Sequence, residues 1–386
     1  WQWNGARCMA DSQPPHHHWR IAHSEASLGW GGQEHRILAE MQGFRRRGSE
    51  VWLIAPEKSQ LYQRAAQAGV PVVAQRFDQR ILLPLHALNL AWWLRRHRIQ
   101  IVNPHSSRDG WLLTIAARIA RVPLIIRSRH FDVPIPNRSI SRLMYKEWSH
   151  HIITTSPKIT ETLTATFDLD PAEISTISSG VDLERFNPEG PRAVLPLPAL
   201  PPGTPLIGMI TVLRFAKGTQ VLAEATRILR DEHKLRIHCV IVGEGPHRQR
   251  LEHTLATLGV ADQFTLTGHR EDVPDIMRAL DIIAIPSFHE AIPQSGLQAL
   301  ATGIPVVASD VGGIPSIIQH GKTGRLVPMQ NAPALAAAIR ATLTERETTQ
   351  ALSAAGRRMI ESHHSLEVML DRVNAIYHQH LGGSAA

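Results

Sequence analysis

Only two cysteines, Cys8 and Cys239, occur in 386 residues, and they lie far apart in the chain. A disulfide framework is excluded as a source of stability, and Cys239, inside the apolar run Ile237–Val242, reads as a buried free thiol in a reducing compartment. No apolar run approaches the roughly 18 residues that a membrane-spanning helix needs. The amino terminus has no charged-then-apolar signal pattern. Together these absences lead to the expectation of a soluble, cytoplasmic protein.

What the chain does have is length and positive charge. At 386 residues it exceeds what one hydrophobic core usually serves, so two domains are expected. A net charge of +7 and a pI of about 9.9 favour an acidic partner such as nucleotide phosphates, an anionic membrane surface or nucleic acid. Charge alone does not choose among the three.

Residues 1–18 read as an unstructured leader with Met9 inside it, and the run His16-His17-His18 there has no other ligands near it in sequence. From Trp19, short β-rich runs alternate with longer helical patterns, as in parallel sheets with crossover helices. The strand candidates are Trp19–Ala22, Val51–Ala55, Val72–Ala74, Ile101–Asn103, Leu124–Ile126 and Ile152–Thr155. Seven prolines between residues 188 and 205 can neither continue a helix nor join a central strand, so this stretch is read as a linker. The alternation then restarts with Leu206–Thr211, Ile237–Gly243, Phe264–Thr267, Ile282–Ile285 and Pro305–Ala308. The expected organisation is an α/β protein with two doubly wound, Rossmann-like domains, 19–187 and 206–365. A closing helix and tail over 366–386 would pack back on the first domain, and ligands would lie in the cleft at the carboxyl ends of the strands.

Four constellations suit an anionic ligand. Gly29-Trp30-Gly31-Gly32 sits between the first strand and the first long helix, where it serves either as a tight turn or as a phosphate cradle. Arg214 and Lys217, followed by Gly218, end the first strand of the second half and can hold a diphosphate between a guanidinium fork and an ammonium. Gly243-Glu244-Gly245 closes the next strand, with His269 and Arg270 on the same edge. Last, Glu290 stands just before a helix that carries Gln298, so an anion could dock at the helix start while both side chains reach sugar hydroxyls.

Taken in order, these motifs resemble the GT-B glycosyltransferases of family 4, over nearly the whole chain from Trp19 to about Leu381. His105 and His130 after strands, Ser179-Gly180-Val181-Asp182 with Phe186 before the linker, Pro286-Ser287, Gly303-Ile304-Pro305-Val306-Val307-Ala308 and Gly312-Gly313 extend the resemblance. It implies a retaining hexosyltransferase using a UDP- or GDP-linked sugar, with a lipid-linked or cell-envelope glycan such as lipopolysaccharide as acceptor. In that reading Glu290 and His130 act at the sugar. Arg214, Lys217, Gly31, Gly32, Gln294 and Ser295 hold the diphosphate. Gln298, Gly243, Gly245 and Arg270 hold the nucleotide, and His105 lies on the acceptor side. No metal or other cofactor is expected, and no nucleic acid, since basic residues interleaved with aromatics form no stripe.

Two departures from the family pattern stand out. Gln298 replaces a common glutamate and loses a charge-assisted bond to ribose. Pro293 replaces a common glycine and removes an amide, which leaves phosphate contacts to Gln294 and Ser295. Asp168-Leu169-Asp170 imitates a metal-binding pair but reads as a solvated turn. The segment Leu82–Arg98, with Trp92 and Trp93 ahead of Arg95 and Arg96, is either a crossover helix or a basic amphipathic face on anionic lipid, which would make the protein peripheral on the inner face of the membrane. A nucleotide-sugar epimerase and a non-catalytic nucleotide-sugar-binding protein are the alternative functions.

Overall fold

The computed structural model describes residues 18–78, 82–131, 135 and 138–382. All of the leader except His18 lies outside these residues, as do the last four positions of the tail. Two separate parallel sheets organise the described chain. The first holds β1 (Arg20–Ser24), β2 (Glu50–Ala55), β3 (Val72–Ala74), β4 (Ile101–Pro104), β5 (Leu124–Arg129), β6 (His151–Thr154) and β7 (Ile174–Thr176) in the order β3-β2-β1-β4-β5-β6-β7. The second holds β8 (Leu206–Ile210), β9 (His238–Val242), β10 (Phe264–Gly268), β11 (Ile282–Ile285), β12 (Val306–Ser309) and β13 (Arg325–Val327) in the order β10-β9-β8-β11-β12-β13.

Both sheets reverse direction beside their first strand, between β1 and β4 and between β8 and β11. Such a switch point splays the flanking loops apart and opens a crevice at the strands' carboxyl ends. Strands such as β4, β6, β9 and β11 are buried along their whole length, because helices cover both faces of a parallel sheet. Residues 188–205 form no helix or strand. The first strand begins at Arg20 and not at Trp19, whose indole instead donates to Asn374 Oδ1 at 2.8 Å. β7 and β13, three residues each, have no counterpart among the strands read from sequence.

The closing helix, Leu366–Leu381, shares a core with the first sheet's layer. Leu366, Leu370, Val373 and Tyr377 lie in one cluster with Ile37, Met41 and Phe44 of the helix Gly32–Arg46. The chain crosses between the two halves at adjacent points. Val181 N–H donates to His364 O and Leu366 N–H to Val181 O, both at 2.8 Å, while Ser178 Oγ lies 2.6 Å from His364 Nδ1. Gly180 is required here: a Cβ on it would stand 2.6 Å from the Leu366 Cα, so the Ser179-Gly180-Val181 motif owes its glycine to the close passage of two chain segments.

Candidate active site

The second half supplies the charged part of the cleft. A short turn, Phe215–Lys217, follows β8, and Gly218 closes it at φ +71°, packed so tightly that any Cβ would collide with Pro286 O. Phe288 N–H donates to Ala216 O at 2.7 Å, which ties this turn to the loop after β11. As a result Lys217 Nζ meets Glu290 Oε1 at 2.5 Å, and Ser287 Oγ donates to the same oxygen at 2.9 Å. Glu290 Oε2 makes none of these bonds. The Glu290 loop is held from behind by Gly313 N–H, which donates to Glu290 O at 3.0 Å; a Cβ on Gly313 would strike Ala291 O. Arg214 is exposed; its carbonyl accepts from Lys217 N–H at 3.0 Å, and among the described residues its guanidinium makes no hydrogen bond or ion pair.

The helix Gln294–Ala301 follows directly on Pro293, which stands at its N-cap in an extended conformation. Gly296 and Leu297 send their amides back to Pro293 O at 3.0 and 3.3 Å, while the amides of Gln294 and Ser295, at the first two helical positions, have no carbonyl behind them in the helix. Gln298 lies half-buried one turn further on. The two halves touch here: Gln294 Cγ lies 3.2 Å from where a Cβ of Gly32 would stand, and Arg64 pairs with Glu271 at 3.1 Å.

Several glycines and one arginine have internal tasks that change how they could serve a ligand. Gly31 N–H is taken by Glu34 Oε2 at 2.9 Å, so this residue offers closeness of approach and not an amide. Gly243 N–H is taken by Gly268 O at 2.8 Å, and Cβ atoms on Gly243 and Gly245 would collide with Thr211 O and Leu213 O. Arg270 is held by both oxygens of Asp272, with Nε 2.8 Å from Oδ1. Asp168 ends a helix in the left-handed region and pairs with Lys146, and Asp170 caps Ala172 N–H, as a solvated turn does.

The first half contributes an uncharged wall. His23 near the end of β1, His105 after β4 and His130 after β5 are buried side by side. His105, expected on the acceptor side, has no free ring nitrogen: Nε2 lies 2.9 Å from His23 Nδ1 and Nδ1 lies 2.9 Å from His130 Nε2. It therefore stands behind His130. Burial, together with the charge of Arg36 and Arg129, holds His130 well below the ordinary histidine range.

Two family models match the chain, Glycosyltransferase Family 4 over residues 30–185 and Glycosyl transferases group 1 over residues 198–359. The chain is a GT-B glycosyltransferase. It is 26% identical over 312 residues to the Escherichia coli UDP-Gal:alpha-D-GlcNAc-diphosphoundecaprenol alpha-1,3-galactosyltransferase, which covers 78% of this chain and 79% of that protein. Its fold is similar to that of a Rickettsia africae glycosyltransferase, with a TM-score of 0.83 at 20% identity over 95% of this chain and all of the other. Anabaena Alr3699/HepE, solved in complex with UDP-glucose, has a TM-score of 0.79 at 17% identity over 94% of this chain and all of the other.

This glycosyltransferase also places a buried carboxyl, Glu25, just past β1, which the sequence reading did not single out. Burial and then the charge of Asp109 push it up to about 8. Ser27 N–H donates to its Oε1 at 2.7 Å, and the Gln33 amide contacts its Oε2. Gln33 Oε1 is itself buried without a partner, and rotating that amide would set its oxygen opposite a protonated Glu25 hydroxyl. The folded state keeps this proton while the unfolded state releases it from about pH 4.5 upward, so stability is lost as pH rises from there to about 8. Glu25→Gln, which does not titrate, is expected to leave the melting temperature unchanged near pH 5 and to stabilise by roughly 2–5 kcal/mol near pH 9. Thermal unfolding across that range checks it, and a pH-independent difference would refute the assignment.

Proposed function

We propose that the protein is a retaining hexosyltransferase that moves a sugar from a UDP- or GDP-linked donor to a lipid-linked or cell-envelope glycan. The observation that carries this reading is the Lys217–Glu290 pair, set beside the open start of the helix Gln294–Ala301. Breaking the sugar–phosphate bond sends its electron pair to the diphosphate and leaves positive charge on the sugar ring. Lys217, Arg214 and the Gln294 and Ser295 amides are suited to the developing negative charge, and preorganised groups of this kind lower the barrier without reorganising. The Glu290 carboxylate is suited to the sugar side. The acceptor oxygen bonds to the anomeric carbon on the face the phosphate leaves, and the acceptor's proton passes to the departing phosphate oxygen, so no separate nucleophile is invoked and the configuration is kept. No metal enters this account, because the side-chain cations and amides carry the phosphate charge.

Arg270, Gln298 and the Gly243–Gly245 turn are the nucleotide-facing groups in this reading, with the two glycines acting through close backbone approach. The lipid-linked acceptor is supported by the galactosyltransferase relative, whose named acceptor is a diphosphoundecaprenol. An epimerase or a purely binding role finds no supporting feature. The test is a panel of nucleotide sugars screened by thermal shift and turnover, followed by NMR of the product's anomeric carbon. An α-linked donor is expected to give an α-linked product, and a β-linked product would exclude retention.

Among the described residues no helix is long and apolar enough to cross a membrane. The helix Leu83–Arg96 nevertheless buries Ala87, Leu90, Ala91 and Leu94 on one side and leaves Leu85, Leu88 and Trp92 exposed on the other, with Arg96 5.7 Å from the Trp92 ring. In our reading this stripe rests on anionic lipid. Flotation with phosphatidylglycerol vesicles is expected to carry the protein up and to fail for Leu88→Glu. Equal flotation of both would contradict it.

A further inference from the structure

Three neighbouring strands of the first sheet, β1, β4 and β5, each bring a histidine to the same end of the sheet. The N···N distances along His23–His105–His130 are both 2.9 Å. The ring planes are inclined by only 10° and 34°, with centroids 5.2 and 5.1 Å apart. At these separations the rings meet edge to edge, so each contact aims one ring's N–H at the next ring's lone pair.

A neutral imidazole has one N–H and one lone pair, so the two contacts must run in the same direction. If each ring donates from Nδ1 toward His130, the inner end of the chain, His23 Nε2, is a bare lone pair and His130 carries its own proton on Nδ1. If the chain runs the other way, His23 Nε2 carries a proton instead. That atom is buried, and among the described residues it has no partner. An orphaned buried N–H is the rarer and more costly of the two outcomes. Reversal would also need a proton delivered to this closed end. The chain is therefore a lock on one tautomer and not a conduit.

We propose that His23 and His105 are positioning residues that fix His130 as the Nδ1–H tautomer, so that it presents an N–H donor to the donor sugar or its departing phosphate. The proposal rests on the reading of His130 as a residue that touches the donor. Neutrality of the chain is its precondition. Burial pushes His23 down to about 3 and, with the charges around it, keeps His105 well below the ordinary range. An isolated neutral imidazole favours Nε2–H, so the chain overrides the intrinsic preference of His130.

Two-bond proton–nitrogen correlation spectra of protein labelled with 15N-histidine read the tautomer directly, with His130 assigned by its loss in His130→Ala. The wild type is expected to show His130 protonated on Nδ1 at neutral pH. In His105→Leu the donor that holds the His130 Nε2 lone pair is gone, so the Nδ1–H form should no longer be the exclusive one, and kcat should fall by at least about tenfold with less than about threefold change in KM. His105→Asn places an amide N–H where Nδ1 stood. It should restore the Nδ1–H form and most of the lost kcat, and melting curves of the two variants check that both are folded. A wild-type His130 protonated on Nε2, or equal behaviour of the Leu and Asn variants, would overturn the proposal. Full turnover of His130→Ala would instead remove the reading it rests on, while an inactive His130→Ala alongside a fully active His105→Leu would remove this proposal alone.

Discussion

Lys217→Ala is expected to lower sugar transfer by about 10²–10³-fold while leaving the melting temperature within a few degrees. The side chain belongs to the last residue of a short turn and is 25% exposed, so little packing is lost. Two electrostatic effects combine. The ammonium that would meet the departing diphosphate is removed, and the Glu290 carboxylate, left among the described residues with Ser287 as its partner, becomes uncompensated in the phosphate's neighbourhood. Arg214→Ala should cost less, since among the described residues the Arg214 guanidinium shields no carboxylate. Lys217→Arg should not fully rescue, because a planar fork cannot occupy a 2.5 Å single-point contact with the same geometry. Steady-state kinetics with the donor selected in the nucleotide-sugar panel measure all three.

Glu290→Gln should show the opposite balance between chemistry and binding. The amide keeps the shape of the carboxylate and an oxygen able to accept from Lys217 and Ser287, but it carries no charge to stabilise the sugar as positive charge develops. We expect kcat to fall by about 10²-fold. The nucleoside diphosphate should bind no more weakly, and somewhat more tightly, because a like charge beside the phosphates has gone and Lys217 is released to them. Lower kcat with tighter product binding is the signature of an interaction made in the transition state and opposed in the ground state. Parallel weakening of both would mean that Glu290 only holds the loop in place.

The parts of this architecture visible in the sequence are those that local pattern encodes. Apolar runs such as Ile282–Ile285 and Val306–Ala308 announced central strands, because both faces of a parallel sheet are buried. Ile174-Ser175-Thr176 and Arg325-Leu326-Val327 gave no such signal, being short strands at the outer edges where one flank is open. The Lys217–Glu290 pairing could be anticipated only through the family resemblance, since 73 residues separate the partners. Glycines were legible as glycines, but not which atom each is pressed against. Gly180 serves a passing chain segment, the Gly31 amide serves its own loop, and the Gly243 amide serves Gly268 at the end of the neighbouring strand. The histidine chain was invisible because it depends on β1, β4 and β5 being neighbours, and because the strand read as ending at Ala22 in fact carries His23 inside it.

The most direct test of the account is calorimetric titration, with a chelator present, of the nucleoside diphosphate and monophosphate that share the preferred base. Wild-type protein is expected to bind the diphosphate at least about tenfold more tightly, a difference of about 1.4 kcal/mol, and Lys217→Ala should lose that preference. An undiminished preference in Lys217→Ala, or a preference that disappears from the wild type when metal is removed, would contradict the assignment of the diphosphate to this side-chain and amide site.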